Sequence, residues 1–348
     1  MSITLCRAGV SILVGINHKK VGTTRILEFI DAANIKVCAE QFIRIADSIV
    51  AIATDIQLGW SDLDTGEEEI GKDYFVYACL PASGDTPVFK ISLNSTYPQG
   101  YNSTNSRKIG GFHNNPDGDI LQYSIWDLDF HPSCPDPRGM VYCFGINRWV
   151  DIYLPSDDGA GGVQSVFGGT ILDTLSHYDF VDRGAKVGKR LTRYDEFQVY
   201  ADGSPIEVNI EGSADPVATG GHTATDASRI VSTIGVEDCV GVIYQWGMGM
   251  NHAAQGFDHT HTENQDPEYT QNANTNTPTL TPAFSYYALP SGKGQIYQQG
   301  AKGLIEPVFG GKWDVGVNCG PLCQNLFYAP YQSDAGISAR FVCAAIQR

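Results

Sequence analysis

The second half of the chain is built around long irregular connections. GGFHNNPDGD (110–119), HPSCPDPRGM (131–140) and LPSDDGAGG (154–162) are rich in Gly, Pro, Asp and Asn. Connections of this length in a compact domain are usually either functional or disordered. Large apolar rings are rare in disordered segments, and this half contains Trp126, Trp149, Trp246 and Trp313. We therefore expect a folded domain with short regular elements and a surface made largely of loops.

The first part of the chain has a different texture. Short β-type runs alternate with turn signals: ILEFI (26–30), IKVCAEQFIRI (35–45), IVAIATDIQL (49–58), YFVYACL (74–80) and VFKISL (88–93). Residues 39–56 also contain good helix formers, but the alternation of apolar and polar residues favours strands. At 348 residues the chain is long for one domain. We predict an α+β protein with a mainly-β domain over residues 1–105 and a second domain over residues 106–348.

The charge balance restricts the class of partner. With 23 Lys and Arg against 39 Asp and Glu, the formal net charge is -16. Nucleic acids and anionic membrane surfaces are bound by clustered cations, so neither is expected as a partner. No apolar run approaches the ~20 residues that cross a bilayer, so membrane insertion is not expected either. VSILVGI (10–16) is short and leads into His-Lys-Lys, which predicts a strand rather than a signal peptide.

Two helices are predicted in the second half. They cover GTILDTLSHYDFVDRG (169–184) and TRYDEFQVYADG (192–203). Thr192 is the expected N-cap of the second helix, with Glu196 near its first turn. Residues 251–283 are biased toward Asn, Thr, Gln and His and lack apolar content, so we interpret them as a polar surface loop inserted into the domain.

Two patterns offer metal ligands. His252, His259 and His261 lie close to Asp258 and Glu263, and transition metals bind such side chains. No HExxH helix holds them, so a solvated polar loop is the simpler interpretation. The turns at 114–119 and 155–162 offer oxygen ligands for calcium but lack the EF-hand register, and turn formation explains both. We expect no metal site and no cofactor, apart from an optional structural calcium ion.

Motifs of catalysis are missing from the sequence. It has no G-x-S-x-G elbow, no Walker loop and no G-x-G-x-x-G after a strand. The nine cysteines are an odd number spread along the chain, which does not indicate a disulfide framework. Cys319 and Cys323 form a C-x3-C pair, which is not the spacing of common zinc or redox sites. We therefore predict that the protein is not an enzyme.

The segment NCGPLCQNLFYAPYQSDAG (318–336) is the most unusual of the chain. It combines Phe327, Tyr328 and Tyr331 with Gly, Pro and Asn, and it follows neither a helical nor a strand period. Tyr and Phe supply large contact area with few rotamers to freeze, as in antibody paratopes. An aromatic-rich, loop-built surface near the C-terminus is therefore typical of a binding protein.

Several motifs of the second half, taken in order, resemble the formylglycine-generating-enzyme type of C-type lectin fold. They are GKRLT (188–192) followed by DEF (195–197), GVIYQWG (241–247), GGKW (310–313) and ISAR (337–340). Within that group the chain is most similar to the variable proteins of diversity-generating retroelements, of the phage major tropism determinant type. The pattern GGxWNNGxNxG, then NxNNxPxNSNxNIGAR, aligns with residues 310–340 without a gap, and the likeness covers roughly residues 110–348.

The resemblance implies which positions vary. In such proteins, copying errors at template adenines replace residues where the pattern has Asn or Ser. The variable, ligand-binding positions implied here are Asp314, Val315, Val317, Asn318, Cys319, Pro321, Leu322, Phe327, Tyr328, Tyr331, Gln332, Asp334, Gly336 and Ser338.

The same resemblance implies a fixed frame around the variable positions. Trp313 and Ile337 would be buried anchors on strands, and Gly310 and Gly311 would permit a close turn. Arg340 would hold the base of the loop through its planar guanidinium. The remaining frame residues, expected in turns, are Asn325 and Pro330.

The leading hypothesis is a hypervariable protein that binds a protein or glycan receptor on a target cell. Its expected location is a virion tail or fibre, or another extracellular surface, and it could act within a homo-oligomer or virion assembly, where multivalency strengthens weak binding. One alternative is a copper or thiol oxidase using Cys319 and Cys323, since the related enzyme has two cysteines in this loop. Fold likeness does not by itself transfer activity. A second alternative is a structural virion component without a specific ligand.

Overall fold

The computed structural model describes residues 18–20, 25–82, 86–249, 251–253, 270–271, 285–288, 295–298 and 303–347. The chain divides into two compact units. The first contains residues 1–133 with 345–348, and the second contains residues 134–344. In the described parts strands dominate and α-helix is confined to two short segments. The predicted mixture of strands and helices is therefore weighted strongly toward strands.

The first unit is a set of small antiparallel sheets. Its strands are β1 (His18–Lys20), β2 (Leu27–Asp31), β3 (Asn34–Val37), β4 (Gln41–Ile45), β5 (Ser48–Ile52), β6 (Ile56–Gly59), β7 (Asp73–Cys79), β8 (Val88–Ser92), β9 (Ser106–His113), β10 (Trp126–Asp127) and β11 (Phe130–Pro132). They pair in the orders β1-β4-β5, β2-β3-β6 and β10-β9-β7-β8. The β-type runs of residues 26–93 are confirmed as strands.

Alternation decides strand over helix in residues 39–56. In the β4–β5 hairpin, Ile43 lies opposite Val50 and both are buried, as are Ile45 and Ile52. The residues between them on each strand are less buried. This is the period-two pattern of a strand with one face on the core, and it overrides the helix propensity of the intervening residues.

The division between the units falls after Ser133, whereas the sequence suggested a boundary near residue 105. The strand β9 begins at Ser106 and lies inside the four-stranded sheet of the first unit. Its Ile109 and Phe112 belong to the same core as the earlier strands. A change of composition at residue 106 therefore marks a change in loop content within one core.

The second unit contains both helices and the remaining strands, except that residues 345–347 of the last strand belong to the first unit. They are β12 (Met140–Cys143), β13 (Arg148–Asp151), β14 (Pro155–Asp157), β15 (Val163–Ser165), α1 (His177–Lys186), β16 (Arg190–Leu191), α2 (Tyr194–Tyr200), β17 (Tyr244–Trp246), β18 (Asn251–Ala253), β19 (Thr270–Gln271), β20 (Ser285–Ala288), β21 (Gln295–Gln298), β22 (Gly303–Ile305), β23 (Val308–Phe309), β24 (Gln324–Leu326), β25 (Ile337–Ala339) and β26 (Phe341–Gln347). Both helices lie in the predicted regions, but α1 begins at His177, eight residues after the predicted start at residue 169, because Ser176 and Asp179 form its capping box.

A seven-stranded sheet in the order β19-β20-β21-β24-β23-β17-β25 forms the second unit's main layer. Strand β25 runs parallel to β17, with Tyr244 beside Ile337 and Trp246 beside Ala339. Trp246 is fully buried in a core shared with α1 and β23. Strand β26 follows β25, and its first residues pair with β13 and β16. The C-terminal strands are thus fixed on both sides.

The second helix begins one residue later than expected. Its N-cap is Arg193, and the Arg193 amide donates to the Glu196 carboxylate at 3.0 Å. Thr192 is buried, and its amide donates to the Arg340 carbonyl at 3.2 Å. The predicted capping role of Thr192 was wrong because this residue continues the contacts of β16, while the role of Glu196 in the first turn is confirmed.

Two predicted segments fall largely outside the described residues. They are the strand at 10–16 and most of the polar insertion at 251–283, including His259 and His261. Among the described residues, no helix is long and apolar enough to cross a membrane.

Candidate functional site

The aromatic-rich segment lies between β23 and β25 in the second unit. We call residues 312–334 the display segment. It contains a single 3-10 turn at Gly316–Asn318 and the three-residue strand β24, and the rest is irregular. Its two ends, the entry after β23 and the exit into β25, are held by different contacts.

Two glycines make the entry turn. Gly310 and Gly311 have φ values of 87° and 88°, in the region that favours glycine. A Cβ on Gly310 would collide with the Cys239 carbonyl, and one on Gly311 would lie 2.5 Å from the Cys319 sulfur. The chain thus enters the display segment through a close turn, as the resemblance implied.

The exit is anchored by Ile337 and Arg340. Ile337 is fully buried on β25. Arg340 is also fully buried, and its guanidinium donates to the carbonyls of Asp151, Ile152 and Glu237 and to the side-chain oxygen of Gln245, at 2.6 to 2.9 Å. All four acceptors lie before residue 310, so Arg340 ties the exit strand to β17 and to the end of β13.

Trp313 differs from its expected role. It lies in a turn rather than on a strand, and its side chain is only half-buried, with the Lys312 ammonium 4.7 Å from the ring centre. The strand at this position ends with Phe309, because the glycine turn follows at once. The buried anchor of the entry is therefore Phe309, whose ring stacks on Phe197 of α2 at 5.3 Å.

The surrounding frame holds the display segment by its carbonyl oxygens. We call these contacts the carbonyl clamp. Its donors and acceptors are Asn209 Nδ2 to Trp313 O, Glu207 N to Cys319 O (3.0 Å), Tyr194 Oη to Leu322 O (2.6 Å), Glu306 N to Tyr328 O (2.9 Å), His177 N to Pro330 O (3.1 Å) and Thr174 N to Asp334 O (3.3 Å). Every acceptor belongs to the backbone, so the clamp does not depend on which side chains the segment presents.

Some contacts of the segment depend on its own side chains. The Lys312 ammonium donates to the Asp314 carboxylate at 2.8 Å, and the Cys319 thiol donates to the Lys312 carbonyl at 3.6 Å. The Gln332 side-chain oxygen accepts the Ala329 amide at 2.6 Å, and the Asp334 carboxylate accepts the Gly336 amide at 2.7 Å. These last two are local turn contacts of the kind that Asx-type side chains provide. They close short turns within the segment and leave the clamp unaffected.

The implied variable positions divide by exposure into three groups. Exposed are Asp314, Val317, Tyr331 and Asp334. Half-buried are Val315, Asn318, Leu322, Phe327, Tyr328 and Gln332. Buried are Cys319, Pro321, Gly336 and Ser338. Val317 and Tyr331 stand out, with 64% and 75% of their surface exposed.

The buried group faces the frame. Ser338 is fully buried, and its hydroxyl donates to the Leu172 carbonyl at 2.7 Å. The Cys319 side chain fills the space beside Gly311. In this structure the four residues of this group are covered, so a partner would meet the other ten positions.

The aromatic residues are graded from interior to surface. Tyr328 packs on the core, where its ring meets Trp246 edge-on at 6.0 Å, and burial raises its pKa to about 12. Phe327 contacts Tyr328 edge-on at 5.1 Å. Tyr331, two residues past Ala329, is the most exposed. Tyr328 therefore supports the surface that Phe327 and Tyr331 present.

Among the frame residues, Pro330 is buried and Asn325 lies within β24 rather than in a turn. Asn325 is paired with Val308 and Tyr297 across the sheet. The turn expected at Asn325 was wrong because this residue extends the central sheet into the display segment.

The pair Cys319 and Cys323 is poorly suited to thiol chemistry. Both are buried, and burial, followed by the neighbouring Cys323, raises the pKa of Cys319 well above its usual range. Thiolates, not thiols, bind metals and attack substrates. The eight cysteines that the structure describes are buried thiols.

In the two acidic turns that offered calcium ligands, side-chain oxygens accept hydrogen bonds from backbone amides of the same turn. Asn115 Oδ1 accepts the amides of Asp117 and Asp119, at 3.0 and 2.9 Å. Asp158 Oδ1 accepts the amides of Ala160 and Gly162, both at 2.8 Å. Within the described ranges, no three His, Cys, Asp or Glu side chains are grouped as metal ligands would be.

The clamp donors were not foreseen from the sequence. Glu207, His177, Thr174 and Glu306 contribute backbone amides, for which residue identity carries no signal. Tyr194 lies in the helix-start motif that carried part of the resemblance, but nothing in the sequence marks its hydroxyl. His177 and Glu306 are also close to each other, with Nε2 and Oε2 3.9 Å apart and both side chains buried.

The chain has relatives among known proteins. Residues 26–127 match the family model described as the Mtd second domain. A tail fiber receptor-binding protein of Bordetella phage BPP-1 is 31% identical over 311 residues, which cover 78% of this chain and 71% of that protein. The solved structure of the U1 variant of the Major Tropism Determinant aligns with a TM-score of 0.73 and 26% identity, over 97% of this chain and 88% of that one. The M1 variant gives the same TM-score and coverage with 25% identity.

Proposed function

Because the chain belongs to the major tropism determinant family of phage proteins, we propose that it is a receptor-binding protein of a virion tail. The resemblance to retroelement-diversified variable proteins, which rested on ordered motifs, is confirmed at the level of the family. In our proposal the display segment carries the contact side chains. The C-type lectin frame of the formylglycine-generating type carries the display segment.

The carbonyl clamp is the observation that supports this function best. A surface that changes its side chains must keep its backbone in place by other means. Here six frame groups bind carbonyls between residues 313 and 334, and a carbonyl is present whatever the side chain. The glycine turn and Arg340 fix the two ends. Substitution at exposed positions therefore leaves the backbone supported.

The exposed and half-buried members of the variable set form the proposed contact surface. Val317, Phe327 and Tyr331 supply apolar and aromatic area, and Asp314 and Asp334 add charge. We assign Cys319, Pro321, Gly336 and Ser338 a shaping role, because these residues are buried. Diversification at those four would alter the backbone as well as the surface.

The proposed partner is a protein or glycan receptor on the surface of a host cell. The aromatic area suits either class, and Tyr in particular offers both a ring and a hydroxyl. The net charge of -16 argues against nucleic acid. Weak binding by single copies would be strengthened if several copies act together in a tail.

We propose that the protein acts without catalysis and without a cofactor. The oxidase alternative requires accessible thiolates, whereas Cys319 and Cys323 are covered and the pKa of Cys319 is raised by burial. A copper(I) titration of the reduced protein tests this. Tight copper binding that disappears in the Cys319→Ser, Cys323→Ser double variant would restore the oxidase alternative.

The proposed function is tested by removing the outward side chains. In the Val317→Ser, Phe327→Ser, Tyr331→Ala variant the clamp and the frame are unchanged. We expect the labelled variant to lose most of its adhesion to cells that the unmodified protein binds. Phe144→Ser, which removes an equally exposed ring on the β12–β13 hairpin, is the matched control and should bind normally. Unchanged adhesion of the triple variant, with its unfolding temperature preserved, would favour a structural component without a specific ligand.

A further inference from the structure

We propose that two side chains outside the display segment, Tyr178 and Ile206, form a constant rim of the contact surface and bind the same protein partner as the displayed residues. This inference rests on the proposed function. It adds a part of the surface that does not vary from one copy of the protein to another.

Tyr178 and Tyr331 each follow one of the two residues joined by the same clamp bond. The His177 amide donates to the Pro330 carbonyl at 3.1 Å. Tyr178 follows His177 in the chain, and Tyr331 follows Pro330. Both rings face solvent, with 48% and 75% of their surface exposed. One side of the display segment is thus bordered by an exposed aromatic residue that belongs to the frame.

The position of Tyr178 is rigid. Helix α1 starts at His177, and Ser176 and Asp179 cap it reciprocally through hydrogen bonds of 2.9 and 3.2 Å. The His177 ring contacts Trp246 edge-on at 5.8 Å, which fixes the first turn on the core. The backbone at Tyr178 is thus held in place, and a Tyr side chain has few rotamers to freeze when a partner covers it.

Ile206 occupies the matching position on the other side. The Glu207 amide donates to the Cys319 carbonyl at 3.0 Å, and Ile206 precedes Glu207. Val317 lies two residues before Cys319, and Ile206 and Val317 are 42% and 64% exposed. Asn209 binds the Trp313 carbonyl a few residues further along the chain. The stretch 206–209 therefore runs beside the start of the display segment.

The arrangement differs from scattered surface apolar residues, which are common and carry no meaning alone. Two exposed apolar side chains of the frame each lie one residue from a clamp bond. The acceptor of each bond also lies near an exposed side chain of the display segment: Tyr331 is one residue from Pro330, and Val317 is two residues from Cys319. A partner that covers Val317 and Tyr331 would therefore also cover Ile206 and Tyr178. The resulting patch is apolar at both edges, which fits a protein surface with an apolar centre.

A constant rim would have a definite consequence for affinity. Side chains that do not change contribute the same increment to every variant, while the displayed residues decide which partner is bound. Truncating one rim residue should then weaken unrelated binders to a similar extent. Truncating a displayed residue should weaken only the binders that use it.

Libraries of the full chain test this without knowledge of the natural receptor. Positions 314, 317, 327 and 331 would be randomised, displayed on yeast and selected against hen egg-white lysozyme as the probe. We would then introduce three substitutions, Tyr178→Ala, Ile206→Ser and the control Phe144→Ser, separately into about ten binders of unrelated loop sequence. The dissociation constant of each resulting protein would be measured. We expect each rim variant to weaken most binders about fivefold, with no change for Phe144→Ser.

The outcomes separate the two proposals. If binders are obtained and the rim variants change their dissociation constants less than about twofold, the rim is refuted and the display function stands. If no binders emerge from the library, the display function itself fails. Unfolding temperatures are measured in parallel, and Tyr178→Gln replaces Tyr178→Ala if that variant is less stable, since Gln keeps the helix with a polar side chain.

Discussion

The hydroxyl of Tyr194 donates to the carbonyl of Leu322 at 2.6 Å, across 128 positions of the chain. Tyr194 is the first residue of α2, and its ring also contacts Phe309 at 5.2 Å. A single side chain therefore connects the helix, the entry strand β23 and the display segment. It is the one clamp donor that is a hydroxyl, so it can be deleted without moving the backbone.

We predict that Tyr194→Phe lowers the free energy of unfolding by about 1 kcal/mol, the usual effect of one lost hydrogen bond. The ring contact with Phe309 is kept, so the change isolates the bond to Leu322. Urea denaturation gives the difference. Tyr142→Phe, whose hydroxyl bonds Asn147 at an exposed site, should change stability less. Equal losses in both variants would show that the bond to Leu322 has no special role.

Replacing Gly311 with Ala should be costly for two separable reasons. The φ of 88° disfavours any side chain, and the new Cβ would lie 2.5 Å from the Cys319 sulfur. We expect a loss of about 1 to 3 kcal/mol in unfolding free energy. Adding Cys319→Ala should recover part of the loss by removing the collision, leaving the backbone strain. A double variant no more stable than Gly311→Ala would contradict the steric contribution.

Arg340→Met should destabilise the second unit more than any change at a displayed position. It leaves three buried carbonyls and the Gln245 oxygen without their charged donor. The Ile152 carbonyl keeps the Glu237 amide at 2.9 Å. Each buried acceptor that is left without a partner costs about 1 to 3 kcal/mol, so a total loss of about 3 kcal/mol or more is expected. Arg340→Lys keeps the positive charge but lacks the several fixed donors of the planar guanidinium, so its stability should lie between those of the unmodified protein and Arg340→Met. Chemical denaturation of the three proteins measures this order. An Arg340→Lys variant as stable as the unmodified protein would contradict it.

The buried carboxyl of Glu306 should make stability depend on pH. Burial raises its pKa from 4.5 to about 7. A raised pKa means that the folded state binds the proton more tightly, so this contribution is complete below pH 4.5 and is lost as the pH rises through about 7. The nearby His177 has a pKa lowered by burial, so its contribution has the opposite sign and is lost on acidification.

Comparison with Glu306→Gln isolates this contribution. The unmodified protein should lose about 1 to 3 kcal/mol more than the variant between pH 5.5 and pH 8.5, measured by urea denaturation. Glu237, whose pKa burial also raises to about 7, keeps part of the dependence in both proteins. Identical pH profiles would show that Glu306 ionises freely, contrary to its burial.

The secondary structure could be predicted from the sequence wherever apolar residues recur with the period of a strand or a helix. The strands of residues 26–93 follow from apolar alternation. The two helices were predicted in the right regions, although the first begins at His177 and the cap of the second is Arg193 rather than Thr192. The glycine pair was readable too, because a turn with positive φ admits little else. Ile337 and Arg340 were placed correctly by their order within the motifs of the second half.

The orientation of side chains in the display segment could not be predicted from the sequence. It has no period, so nothing in the sequence tells which side chains point inward, and Cys319 and Ser338 could not be distinguished from Val317 and Tyr331. Trp313 was expected on a strand because the family resemblance implied a buried anchor there, yet the glycine turn ends the strand before it. The clamp depends mainly on backbone amides, whose positions follow from tertiary structure and not from residue type.

The carbonyl clamp also bears on how the surface can evolve. Proline lacks an amide hydrogen and glycine lacks a side chain, but both have the carbonyl oxygen that the frame binds. Substitutions at separate displayed positions should then have additive effects on folding, with little epistasis between them. Under such additivity, many simultaneous changes can be sampled in one generation without most combinations being lost to misfolding.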